Sequence, residues 1–203
     1  MYIPSANAMN DRDEIVNFMK RFSFATIVST DGTTPLATHL PFIVDYKNDK
    51  LLLTSHFAKA NDHWKYMEHQ NVLVIFSEPH AYISTAHYDK ELNVPTWNYL
   101  SVHVYGTVEL ISDYQRNISL LEKTIENYEP SFALKWNEFP EDYKIKMVKG
   151  IVGFEMTVND IQAKKKLSQN RTPTEKANII TALSKSKDNN ENLIAEYMKK
   201  DFI

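Results

Sequence analysis

The chain has 203 residues, 43% of them hydrophobic and 24% charged, enough to build a sizeable core in one large domain or one domain with a small appendage. It has no cysteine, which excludes disulfides, thiolate catalysis and Cys-ligated zinc or iron–sulfur centres. The net charge of −3 is unevenly spread: residues 144–176 carry eight Lys or Arg against three acidic side chains, a block suited to solvent or to the phosphates of a cofactor or nucleic acid.

In chain order, Asp11 and Glu14 read as a capping box, and Ile15, Phe18, Met19 and Phe22 recur at helical spacing behind it. Strand-like runs follow at 24–30, 37–44 and 51–56, with a hairpin turn signal at Asp31-Gly32. Pro41 lies inside the second run. A proline cannot donate to a ladder, so that strand is expected to be an edge, to be bulged or to face a ligand. Residues 60–69 read as a short helix with Trp64 and Met67 inward, 72–76 as a buried strand and 80–84 as the start of another. After a loop at 85–95 comes a long alternating strand. It places Trp97, Tyr99, Ser101, His103, Tyr105 and Thr107 on one face, and Val102, Val104, Gly106, Val108 and Leu110 on the other. The first face suits a flat polar ligand or a subunit contact, or is simply half exposed.

A helix capped by Ser112 with Gln115 is expected next, stopped by Pro130, then another from Pro140 to about Lys149. Strand returns at 151–161, with Val152, Phe154, Met156 and Val158 as its core face. A basic segment leads to a capped helix start at Thr172 and Glu175, and helices at about 173–185 and 190–200 close the chain. Strands packed this densely, joined by short turns, favour an antiparallel barrel over a doubly wound sheet.

Few familiar chemistries are signalled. Four glycines and no GxGxxG or GxxxxGK[ST] leave no common nucleotide loop. The seven histidines lack HxxxH or HExxH helical spacing, there is no GxSxG elbow, and no carboxylate pair stands out, so no metal or catalytic residue is assigned. Thr54, Ser55 and His56, running into Lys59 and Asn61, could hold a phosphate without a glycine loop, or form a solvated turn with Asn61 as a cap. From Ala177 onward four basic and four acidic side chains balance, and no basic recognition helix is evident, so direct DNA binding has no motif behind it. The N-terminus has no basic region followed by an apolar run and nothing later reads as a membrane span; a cytoplasmic location is expected.

Eight segments in order carry a resemblance: MYIP at the start, ATHLPF (37–42), SHFAKAN (55–61), PHAYIS (79–84), VPTWNY (94–99), VHVYG (102–106), IVGFE (151–155) and KLSQNR (166–171). Together they resemble the PaiB family of FMN-binding negative transcriptional regulators. The resemblance implies an α+β, mainly β fold: an antiparallel split β-barrel related to pyridoxamine phosphate oxidase, spanning residues 1–171 with helices inserted at about 112–149. A helical extension over 172–203 would pack on it. It also implies a homodimer with FMN at the subunit interface. On matching positions, Thr38, His39, Leu40 and Pro41 would run beside the isoalloxazine, and Thr54, Ser55, His56, Lys59 and Asn61 would grip the phosphate. Trp97, Asn98 and Tyr99 would approach the flavin, and Gln169 and Arg171 would reach the cofactor pocket. Lys59 is a single cation where the related oxidases use more arginine, so modest FMN affinity is implied. A flavin-dependent oxidoreductase, reducing flavin with NAD(P)H or oxidising a small molecule without binding DNA, is the alternative function.

Overall fold

The computed structural model describes residues 1–202. Eight strands and six α-helices divide between two compact units, one made of residues 16–76 and 103–161, the other of residues 1–15, 77–102 and 162–203.

In the first unit, β1 (Phe24–Thr30) and β2 (Pro35–Pro41) form an antiparallel hairpin in which Phe24 faces Pro41 and Thr30 faces Pro35. Its turn rests on Asp31, whose carboxylate accepts from the backbone N–H groups of Thr33 and Thr34, while Gly32 takes φ +104°, open to glycine without strain. β3 (Ile43–Lys47) pairs with β4 (Lys50–Ala58), and β5 (Asn71–Phe76) lies against β1. With the later parts of β7 (Thr96–Ile111) and the earlier parts of β8 (Ile151–Lys166), the sheet order is β2-β1-β5-β7-β8-β4-β3. β2 is therefore an edge strand, which explains how Pro41 is tolerated. The expected single run over 37–44 is two strands: the pairing with β1 ends where the Phe42 N–H bonds the Ser23 carbonyl, the ring enters the core against Phe76 and Phe154, and from Ile43 the chain pairs with β4 instead. Residues 60–69 contain a 3-10 turn over Asp62–Tyr66 rather than an α-helix, with Met67 buried and Trp64 half-buried.

The long strand alternates as its sequence predicts from Asn98 to Val108, except that Ser101 is buried as well. Gly106 has a packing reason: a Cβ there would collide with the Thr157 carbonyl oxygen and stand 2.8 Å from Met156 Cε. α2 (Tyr114–Tyr128) is capped by Asp113, which accepts from the Arg116 N–H, and not by Ser112. After it come α3 (Ala133–Glu138), which periodicity did not reveal, and α4 (Glu141–Lys149), for which Pro140 is the N-cap.

In the second unit, β6 (His80–Ile83) pairs with the start of β7. The first turns of α1 (Arg12–Arg21) carry the expected Asp11 bond to the Glu14 N–H. β8 runs five residues past the expected end at 161, taking in Lys164–Lys166. α5 (Pro173–Leu183) begins with the capping box of Thr172 and Glu175, and α6 (Asn189–Phe202) follows. Among the described residues no helix is long and apolar enough to cross a membrane.

Candidate cofactor site

In the first unit the outer edge of β2 has no partner strand among the described residues, so its outward backbone groups, the Pro41 carbonyl apart, are a ready partner for the polar rim of a flat ligand. His39 stands exposed on it, its ring stacked on Phe24 at 6.3 Å, and Leu40 points into the core. Thr38 is drawn into a hydrogen-bonded set that local sequence did not reveal. His63 is buried, with Nδ1 2.8 Å from Thr38 Oγ1 and Nε2 2.8 Å from Ser29 Oγ. Asn61 donates to Thr38 Oγ1 at 3.2 Å and accepts from the His63 N–H at 3.1 Å, capping the 3-10 turn. A neutral imidazole, one nitrogen donating and one accepting, suits two hydroxyls, and burial holds the His63 pKa below its ordinary value. Only the capping role of Asn61 had a local signal; His63 meets Ser29 and Thr38 through strand pairing.

The residues of β4 divide between faces. Ser55 is buried and donates to the Pro41 carbonyl at 2.6 Å, fixing the end of β2. Thr54 lines a cleft of about 210 Å³ with Arg116 and Glu155, and His56 is half-buried, its pKa lowered by burial. Burial pushes the Glu155 carboxyl up, but Lys47 and Arg116 outweigh it and hold the group below the usual range. Lys59 is exposed. Its N–H bonds the Gly150 carbonyl at 2.8 Å, its carbonyl accepts from Trp64 Nε1 at 3.1 Å, and it lines a cleft of about 520 Å³. Lys149 lines the same cleft, with Ser112 and one carboxylate, Glu68. Two ammonium groups and a hydroxyl against one carboxylate fit the chemistry of a phosphate. Lys149 is a second cation beside the one the motif supplies, and its only sequence signal was the basic block.

In the second unit Trp97 is 51% exposed, flanked by His80 at 5.8 Å and Tyr82 at 5.7 Å between ring centres. Tyr99 lies under the Lys164 ammonium at 5.1 Å. Asn98 has no exposed surface: it accepts from Ser168 Oγ at 3.0 Å and donates toward Met198 Sδ at 3.6 Å, so its amide is spent inside the fold. Gln169 is spent likewise, accepting from the Leu167 N–H at 2.8 Å and donating to the Lys165 carbonyl at 2.6 Å. Arg171 donates to Asn93 Oδ1 at 2.7 Å and lies 3.6 Å from the Tyr88 ring centre. Among the described residues no group of three or more His, Asp or Glu could hold a metal ion.

The family model described as "Putative FMN-binding domain" matches residues 1–160. The "Protease synthase and sporulation protein PAI 2" of Bacillus subtilis (strain 168) is 39% identical over 202 residues, covering 98% of this chain and 97% of its own. The chain belongs to the PaiB family. An uncharacterized protein of Emericella nidulans is 26% identical, over 76% of this chain and 79% of its own. Among solved structures, the flavocytochrome Anf3 of Azotobacter vinelandii aligns with a TM-score of 0.62 at 18% identity, covering 78% of this chain and 69% of its own. The FAD and heme binding protein of Mycobacterium smegmatis aligns with a TM-score of 0.61 at 12% identity, covering 79% and 73%. The fold is the antiparallel split barrel, left open as a sheet with two edges, and FMN is the cofactor of the family.

Proposed function

We propose that this PaiB-type flavoprotein holds FMN by its phosphate at Lys59 and acts as a homodimeric negative regulator of transcription. The observation that carries the cofactor assignment is the Lys59 cleft, where Lys149 supplies a second ammonium. Thr38, His39 and Pro41 on the edge strand then run beside the isoalloxazine, with Leu40 supporting them from the core. Thr54, Ser55, His56 and Asn61 shape the strand end and loop that present Lys59. Bound FMN supplies reversible acceptance of electrons or hydride; the chain's own groups bind it and exclude water. Exposed Trp97 and Tyr82 suit a covered face, as amphipathic aromatics do at interfaces. The regulatory reading is supported by the relative whose name couples protease synthesis with sporulation.

The visible spectrum of the purified protein, followed by FMN titration and sedimentation, tests this. Flavin bands or quenching of flavin fluorescence, in a dimer that Trp97→Ala with Tyr82→Ala converts to monomer, is expected. A colourless protein that leaves FMN fluorescence unchanged overturns the cofactor assignment. A salt-dependent gel shift on a defined operator is expected of the regulator. No shift at low salt, with steady NADH oxidation in the presence of FMN, would replace it with an oxidoreductase.

A further inference from the structure

We propose that the cavity at the end of β8, bordered by the 166–171 turn, is a second ligand site that takes a compact organic oxyanion: a carboxylate or phosphate carried on a small apolar body. This goes beyond FMN binding and claims Arg171 for a different ligand.

The argument starts from three consecutive lysines that have three different environments. Lys164 is buried, donates to the Tyr2 carbonyl at 3.2 Å, and lies near the rings of Tyr2 and Tyr99. Lys165 is neutralised by Glu14 at 2.8 Å and Asp201 at 2.9 Å. Lys166 bonds the hydroxyl of Thr96, a neutral partner and its only one among the described residues, and lines a cavity of about 380 Å³. Arg171 lines the same cavity and gives one N–H to the neutral amide of Asn93. Its nearest carboxylate, Glu175, is 4.0 Å away and already accepts from the backbone N–H groups of Thr172 and Asp89. Among the described residues no carboxylate lines the cavity. Two half-buried cations thus face one space, Lys166 with a neutral partner and Arg171 with Glu175 only at the 4.0 Å limit of an ion pair, and an oxyanion would give both a charge-assisted bond.

The turn that carries them is already ordered. Ser168 sits at φ +61°, a conformation costly for a serine in isolation, and is held there by its bond to buried Asn98. Gln169 clips the turn at both ends through Leu167 and Lys165. Little ordering is left for a ligand to impose, which favours affinity. Pro4, Ala6, Val94 and Pro95 give the wall an apolar part beside the amides of Asn7 and Asn170, and the volume lies at the small end of ligand pockets.

Calorimetric titration of the FMN-saturated full chain with benzoate, phenyl phosphate and neutral benzamide tests the site. Benzoate or phenyl phosphate should bind at least tenfold more tightly than benzamide, and the stronger of the two identifies the oxyanion. Lys166→Gln, which keeps a donor to Thr96, should weaken the anion at least tenfold and leave FMN affinity unchanged. Equal binding of benzamide, no binding of either anion up to 10 mM, or unchanged binding by Lys166→Gln overturns the proposal. Anion binding seen only in the FMN-free protein also overturns it, because the cavity would then belong to the flavin. Should Lys166→Gln not fold, the wild-type contrast between benzoate and benzamide decides.

Discussion

Lys59 is the side chain on which the phosphate assignment turns, and a charge-assisted bond of that kind is worth about 1.5–3 kcal/mol. Lys59→Ala should therefore weaken FMN binding by roughly 10- to 150-fold while leaving riboflavin, which lacks the phosphate, almost unaffected; fluorescence titration of both flavins reads the difference. The buried imidazoles make a separate prediction. Burial lowers the pKa values of His56 and His63 in the folded chain, whereas in the unfolded chain they protonate near 6.5. Stability is thus fully present above about pH 6.5 and is lost as pH falls toward the folded-state values. The melting temperature should drop between pH 7 and pH 5, with a shallower slope in His63→Gln; identical slopes would remove His63 from the account. At Gly106 there is no room for a methyl group against the Thr157 carbonyl. Gly106→Ala should cost about 1–3 kcal/mol in denaturant unfolding, since backbone cannot yield as a side chain can.

Elements were legible where a period or a cap decided them. Thr172 accepts from the Glu175 N–H, and Glu175 returns the bond to the Thr172 N–H, as the two residues in sequence imply. Thr172→Ala should cost about 1 kcal/mol, seen as a fall of about 2–4 °C in melting temperature. The long strand was legible because alternation with a period of two outweighs its polar content. The end of β8 was hidden because three lysines read as loop; a strand is possible there only because Tyr2, Glu14, Asp201 and Thr96, far away in sequence, receive the ammonium groups. The candidate site was legible as motifs and not as geometry. SHFAKAN gives Ser55, His56 and Lys59 as neighbours, yet Ser55 turns to the Pro41 carbonyl while Lys59 lines a cleft with Lys149, ninety positions later.

At the scale of the whole molecule, the family match stops at residue 160, whereas one compact unit draws on residues 162–203. α6 buries Ile194, Ala195, Tyr197 and Met198, and Met198 meets Asn98 while Asp201 meets Lys165. Deleting residues 189–203 should lower the melting temperature by more than 10 °C, because several large apolar side chains lose their cover; calorimetry checks this. The two units are also interleaved, with the chain changing unit within α1, β7 and β8. Anyone dissecting the gene would find that no single cut frees either body, and that a stop codon placed where the alignment ends would sever β8 six residues short. Fusion joints, proteolytic fragments and swapped segments must follow the contacts, since the stretch that the family model matches is not the stretch that folds.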